Sequence, residues 1–563
     1  MNQETDLLTP MQRFLRLLKP DGQDIRNVYI YAIFNGIVNL SLPLGVQAIV
    51  NLIQGGRVST SWMILVGLVV LGVAITGILQ IYQLRIVENL QQKIFTRAAF
   101  DFTYRIPKIK MEKLYTEYAP ELVNRFFDVM SIQKGLSKIL IDFTAASLQV
   151  IFGLLLLSFY HPFFILFSLL LVVMVIIIFR LTAKVGLNRS LEESKRKYQT
   201  AHWLEELART NITFKLSGST GLAMKKTDEN VSQYLNARES HFQILVKQYS
   251  LLVVFKVIVA LGLLAIGGIL VMEQLMNIGQ FVAAEIIILL IMNSVEKLIL
   301  SLETIYDVLT GLEKVGQVTD LEIDESKGVN LKEYELKDGI NLKVERLNYK
   351  YPDSETATLK NITFELKAGE SVIISGANGS GKSTLLTLIA GLYDIKDGQI
   401  LYEDFSKSTI STESLRYIIG DCLSQEMLFQ GTIIENICMG RKIDMPRLKE
   451  ISNAVGLTPF INAQKKGFNS LIDPQGKRLP RSVIQKVLIA RAIADHPKLL
   501  IFEENLESID KADRQKIIDY ITKEDNGWSL IAASNDDYFR SKVDRVIELE
   551  EGSIVSVSTN KSK

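Results

Sequence analysis

The stretch GANGSGKST, Gly376 to Thr384, packs three glycines, a lysine and three hydroxyls into nine residues. Gly376, Gly381, Lys382 and Ser383 fit the spacing G-x-x-x-x-G-K-[ST], with Asn378 and Gly379 inside the loop and Thr384 just behind it. Glycines let backbone N–H groups come close to phosphate oxygens. The lysine ammonium reaches the outer phosphates, and the Ser383 hydroxyl can ligate Mg2+. Further along, KLLIFEEN ends an apolar run in two carboxylates, Glu503 and Glu504. Together these residue types suit phosphoryl transfer, which needs phosphates held, charge offset and a water deprotonated.

Such groups work only if rigid elements hold them. The loop follows an apolar strand, SVIIS, and leads into a helix, STLLTLIAGLY, the order a phosphate site requires. KLLIF reads as a second buried strand, fed by the helical run VIQKVLIARAIAD. The last 220 or so residues therefore read as a soluble α/β domain, whereas apolar runs dominate the first 300. Overall, 63 basic residues face 62 acidic ones, which gives no reason to invoke nucleic acid. The two cysteines, Cys422 and Cys438, suggest neither a disulfide framework nor a cysteine metal site.

Six runs are long enough to cross a bilayer, about 20 apolar residues each. They lie near Val28 to Ile53, Trp62 to Leu84, Ile139 to Tyr160, Pro162 to Leu181, Leu251 to Met272 and Ile278 to Leu300. Connections after the second and fourth are long, helical in pattern and rich in Lys and Arg. Those after the first, third and fifth are short and offer only Arg57. This asymmetry places the long loops and the α/β half in the cytoplasm of a multi-pass inner-membrane protein. The first 27 residues are polar and charged, so the first span is expected to be the insertion signal.

Before it, TPMQRFLRLLKPD sets Met11, Phe14, Leu15 and Leu18 on one helical face behind a Thr9 cap. It reads as an interfacial helix on membrane lipid, or else as a helix packed on protein. Lys256 and Glu285 fall within predicted spans, where ionisable groups are functional candidates, here for a substrate path. At 1.5 Å per residue they differ in depth enough that they are not expected to pair. The expected domains are 1–26 for the N-terminal helix, 27–323 for an all-α membrane domain, and 324–341 for a linker. Residues 342–556 form an α/β P-loop nucleotide-binding domain, and 557–563 a polar tail.

Three further stretches keep their order around the P-loop: YKYP at Tyr349 to Pro352, LSQEMLFQGTIIENI after it, and ARAIADHPKLLIFEE later still. This order resembles the ATP-binding cassette superfamily. With six spans and two long cytoplasmic loops, nearly the whole chain resembles an exporter-type half-transporter. The resemblance implies ATP and Mg2+ as ligands and a second half-transporter as partner, ATP being closed between one chain's P-loop and the other's signature motif. It implies that Tyr351 stacks on adenine, that Gln425 links the metal to the membrane half, and that Glu504 is the catalytic base. Asp510 would be the D-loop aspartate, and a periplasmic adaptor is a partner in some relatives.

Three positions depart from that pattern. GKRLPRSVIQKVLIARA aligns without a gap to the signature, but Pro480, Arg481, Ser482 and Val483 stand where the family resembles Ser-Gly-Gly-Gln. Proline has no N–H to donate, and side chains on former glycines block close backbone approach to phosphate. Arg481 could act as an arginine finger or simply belong to a solvated basic turn. The family's Walker B aspartate is Glu503 here, one methylene longer. The switch histidine is Asn535, or Ser534 with a one-residue slip, and neither can carry a proton's charge. The expectation is ATP-dependent export by a dimer with impaired or asymmetric hydrolysis. The alternative is an ATP-binding, nearly non-hydrolysing membrane scaffold or regulatory subunit.

Overall fold

The computed structural model describes residues 8–560 apart from 55–59, 116, 219, 325–326, 335, 337, 353, 425 and 504–505. The chain divides into two compact units. One comprises Met1–Pro107 with Tyr118–Leu321, the other Lys108–Glu117 with Glu322–Lys563.

The first unit is helical. α1 (Pro10–Leu18) starts at Thr9, whose hydroxyl accepts from the Gln12 N–H while Gln12 returns a bond to the Thr9 N–H. This reciprocal cap satisfies two donors that a helix start leaves free. Phe14, Leu17 and Leu18 pack inward, and Met11 and Leu15 stay exposed. Arg13 is buried between Glu313 (2.9 Å) and Asp320 (2.6 Å).

The rest of the unit is built from α2 (Gly22–Asn39), α3 (Ser41–Gln54), α4 (Thr60–Arg105), α5 (Asp128–Lys138), α6 (Thr144–Ser158), α7 (Pro162–Arg209), α8 (Leu222–Gly262) and α9 (Ile278–Thr319). Six helical stretches among the described residues are long and apolar enough to cross a membrane. α7 runs for 48 residues. At 1.5 Å per residue that is roughly 70 Å, more than twice a hydrocarbon core. Its apolar half gives way to SLEESKRKYQTAHWLEELAR within the same helix, so most of the long loop after the fourth span is helix continuing past the apolar stretch.

Lys256 meets a partner that the sequence reading passed over: its ammonium lies 2.7 Å from Glu296 Oε2, on the α9 face opposite α8. Glu285 makes no ion pair among the described residues. Removing one member of a partly buried pair strands the other charge, whereas removing both does not. Glu296→Ala is therefore expected to lower the unfolding temperature more than the double change Lys256→Met with Glu296→Met, as thermal unfolding in detergent can measure.

Among the described residues the second unit carries two large sheets and a small two-stranded one that pairs Gly431–Thr432 with Leu471–Ile472. β1 (Leu342–Tyr349), β2 (Leu359–Leu366), β4 (Asp397–Tyr402) and β5 (Phe405–Ser406) form an antiparallel sheet in the order β2-β1-β4-β5. β3 (Ser371–Ser375) is the third strand of a six-stranded sheet. Its other members are β6 (Ile419–Cys422), β7 (Leu499–Glu503), β8 (Ser529–Ala533), β9 (Arg545–Glu550) and β10 (Ser553–Thr559), in the order β10-β9-β3-β8-β7-β6. β3 is buried along all five residues and pairs in parallel with β8 and β9, which explains its unbroken apolar sequence. Parallel pairing through β8 aligns the carboxyl ends of β3 and β7, so the P-loop and Glu503 emerge at one edge.

The segment Lys108–Glu117, from the loop after the second span, belongs to this second unit. Its Ile109 bridges Ile323, the Lys110 N–H donates to the Glu322 carbonyl, and the Asp324 N–H donates to the Lys108 carbonyl. The corresponding break after the fourth span, between Arg209 and Leu222, falls in the first unit.

Candidate nucleotide site

β3 ends at Ser375, and the chain turns through the loop into α10 (Lys382–Ile389), with Gly381 at its N-cap. Gly376 adopts φ +143, and a Cβ there would fall 2.1 Å from the Leu549 carbonyl oxygen. Gly376→Ala is therefore expected to unfold or distort the loop and abolish ATP binding, read by equilibrium binding of a fluorescent ATP analogue. The Lys382 ammonium folds back onto the Gly376 (2.7 Å) and Ala377 (2.9 Å) carbonyls, closing the loop's curve. Partial burial pulls its pKa down, and Glu503 opposes that pull. Asn378 and Gly379 lie exposed at the loop's crest, and Thr384 is buried in the first turn behind it.

Glu503 closes the floor of the site. Its Oε1 accepts from the Ser383 hydroxyl at 2.5 Å and its Oε2 from the Ser424 N–H at 2.8 Å. One carboxylate thus joins the P-loop helix to the strand end that leads to Gln425. The longer glutamate side chain spans the gap and still presents its oxygen to Ser383. A hydroxyl and a carboxylate are the hard oxygen donors that Mg2+ takes in ones and twos, the remainder coming from phosphates and water, so these two residues fit the ion. Gln425 and Glu504 lie outside the described residues.

Asn535 stands over the first P-loop glycine. Its Oδ1 accepts from the Gly376 N–H (3.2 Å) and its Nδ2 donates to the Gly376 carbonyl (3.1 Å). The side chain at the histidine position therefore ties both polar groups of Gly376, and Ser534 instead accepts from the Asp536 N–H. Asp510 caps the helix Lys511–Ile521 by accepting from the Asp513 N–H.

The altered signature sits at the start of α11 (Arg481–Ile493). Pro480 is the N-cap and contributes no side-chain bond; its carbonyl accepts from the Val483 and Ile484 N–H groups. Val483 is half-buried and packs on the apolar cluster that includes Val487 and Leu488. Arg481 is exposed, and neighbouring Arg478 is solvated at 86% exposure beside Asp473. The basic turn faces solvent in this chain. In the last turn of the helix, Arg491 reaches the Asn436 carbonyl and Glu426.

Glu426 is half-buried, and that burial, reinforced by Asp421, pushes its pKa up to about 8. The folded state thus favours its protonated form. The stability this contributes is complete below the ordinary glutamate range, near 4.5, and is lost as pH rises through 8. Glu426→Gln should flatten the fall in unfolding temperature between pH 5 and 8.

Tyr351, the expected base platform, donates its hydroxyl to Thr384 at 3.2 Å and is boxed by perpendicular rings of Tyr349 and Tyr393. Its stacked neighbour is Tyr115, in the segment Lys108–Glu117. That segment is pinned by Lys110 on the Asp394 carboxylate (2.9 Å) and by Glu112 accepting from the Asp394 N–H. Burial raises the Asp394 pKa, but hydrogen bonds from Lys407 and Lys110 outweigh it and hold the carboxyl at about 2. Tyr115, Asp394 and Ser424 were not among the residues the sequence singled out.

A P-loop with a carboxylate at the aligned end of a parallel strand two places along the same sheet, joined in one chain to six membrane-length helices, defines a membrane-bound nucleotide-binding protein. Family models described as ABC transporter transmembrane region and ABC transporter match residues 26–295 and 359–507. Leukotoxin translocation ATP-binding proteins of Mannheimia haemolytica and Bibersteinia trehalosi are each 30% identical over 291 residues, 52% of this chain and 41% of theirs. A Staphylococcus aureus export ATP-binding/permease protein, provisionally named for multidrug transport, is 30% identical over 251 residues, 44% of this chain and 43% of its own. The chain spans about two fifths of the length of these relatives. The solved structure of a bacterial Atm1-family ABC exporter with ATP bound shares the fold, with a TM-score of 0.81 at 17% identity over 96% of this chain and 95% of that one.

The chain belongs to the ABC transporter superfamily, with the exporter-type half-transporter organisation of a six-span membrane domain fused to one ATP-binding cassette. It is an integral, multi-pass membrane protein whose cassette is cytoplasmic and binds ATP.

Proposed function

We propose that this chain is one half of an ATP-driven exporter whose two composite ATP sites are unequal, its own P-loop being closed by a different partner chain that carries an intact signature. The observation carrying this reading is the start of α11, where Pro480 is a helix start without a side-chain cap and half-buried Val483 packs against the apolar cluster. A signature reaches across to a partner's γ-phosphate with a serine hydroxyl and free backbone N–H groups. Proline offers neither, Arg481 and Ser482 crowd the backbone, and Val483 leans on the apolar cluster.

In this reading the P-loop N–H groups and Lys382 hold the β and γ phosphates. Ser383 and Glu503 would hold Mg2+, which offsets phosphate charge when bound. Tyr351 carries adenine, and Glu504 deprotonates and aims the attacking water. Gln425 and Asp510 would complete the site toward the membrane domain and the partner. Asn535, neutral and committed to Gly376, orients the loop and supplies no positive charge to the γ-phosphate. Lys256 is assigned to the structural pair with Glu296, leaving Glu285 as the candidate for the substrate path.

The test is subunit composition of the native complex. Mass spectrometry of gently solubilised membranes is expected to find this chain with a second half-transporter whose signature reads as Ser-Gly-Gly-Gln. A complex of this chain alone that hydrolyses ATP briskly would overturn the proposal.

A further inference from the structure

Tyr115 and Tyr351 stack with ring centroids 5.5 Å apart and planes 19° from parallel. They come from stretches far apart in sequence, one just after the second long membrane helix and the other just ahead of the P-loop. Both lie in the second compact unit. Tyr351 is held by three further contacts: its hydroxyl is bonded to Thr384, and Tyr349 and Tyr393 meet it at 85° and 89°. Tyr115 is less constrained, being 50% exposed at the end of the short helix Met111–Leu114. The less enclosed member of the stack is therefore the one from the membrane-domain loop.

We propose that Tyr115 is a placeholder for the nucleobase: its ring holds the face of Tyr351 until the adenine of ATP takes that place and displaces it. This rests on the reading of Tyr351 as the base platform. A flat π-ring on Tyr351 is what a base would supply, so the two compete for one surface. Offset aromatic pairs are worth about two- to tenfold in an equilibrium (roughly 0.5–1.5 kcal/mol). Base stacking on an aromatic is worth about five- to a hundredfold (roughly 1–3 kcal/mol). The exchange thus favours the base, and its cost is paid by the loop. Lys110 and Glu112 stay fixed on Asp394 while Tyr115 leaves, so base arrival alters the end of the segment nearest the Ala119–Asn124 helix and not its anchor.

The experiment uses the full-length complex in nanodiscs with Glu504→Gln to prevent turnover, and compares affinity for ATP with affinity for inorganic tripolyphosphate, which has no base. Tyr115→Ala is expected to tighten ATP binding two- to tenfold with tripolyphosphate unchanged, and Tyr115→Phe to behave as the parent. Unchanged or weaker ATP binding in Tyr115→Ala, with tripolyphosphate unaffected, would overturn the proposal. Tyr351→Ala separates the underlying reading: if it leaves the ratio of ATP to tripolyphosphate affinity unchanged, Tyr351 is not the base platform and both fall. As a second probe, the emission of a Tyr115→Trp variant is expected to shift to the red with ATP but not with tripolyphosphate. A constant emission contradicts displacement.

Discussion

Glu504→Gln is expected to lower ATP turnover of the assembled transporter by a factor of about 10²–10⁴, the usual contribution of a positioned general base, while ATP affinity changes little. Binding rests on other groups: the P-loop N–H donors, Lys382, and Ser383 held by Glu503. Glu504 directly follows β7, whose parallel pairing with β8 sets the strand's end beside the P-loop. Glutamine keeps the size and a hydrogen bond but cannot take a proton. Steady-state phosphate release and equilibrium nucleotide binding on the same preparation read the two effects. A variant that loses binding along with turnover would assign Glu504 to the architecture of the site and not to its chemistry.

The second large effect runs the other way. Replacing Pro480, Arg481, Ser482 and Val483 by Ser, Gly, Gly and Gln should raise ATP hydrolysis by complexes made of this chain alone at least tenfold. Each change restores one missing element: a hydroxyl and an N–H at 480, close backbone approach at 481 and 482, and a polar side chain at 483. The gain carries a structural cost. Val483 packs beside Val487 and Leu488, and moving a half-buried apolar side chain to a polar one is expected to destabilise the domain by about 1–2 kcal/mol. A variant with Val483 retained and only the first three positions restored separates the two consequences. It should keep parental stability and recover part of the activity.

What the sequence made legible follows from how local each signal is. The P-loop lies in one unbroken stretch between a strand and a helix, so residue order alone located Gly376 to Thr384 and the elements carrying them. The six spans were legible for the same reason, as contiguous apolar runs. The altered signature was visible as a mismatch of residue types. Its accommodation was not, because the inward packing of Val483 depends on helix faces set by distant strands.

Contacts between distant elements stayed hidden. Lys256 and Glu296 are paired across two helices, and Glu296 sits in a stretch, NSVEKLILS, whose apolar neighbours masked it as part of a span. The double hydrogen bond of Asn535 to Gly376 joins the ends of two neighbouring strands and leaves no trace in spacing. Tyr115 is a half-hidden case: the break in PKIKMEKLYTEYAP is a candidate contact with the soluble half by its place in the long loop, but its ring partner is not legible. It belongs by chain order to a loop of the membrane domain and by contact to the cassette, and only the fold brings it to Tyr351.

The most direct test of the unequal-site account is ATP turnover by a purified complex containing only copies of this chain, measured beside its nucleotide binding. The account predicts ATP bound at Gly376–Thr384 with turnover near background, rising at least tenfold once residues 480–483 are restored. Brisk turnover by the unaltered complex, unchanged by that restoration, would contradict it.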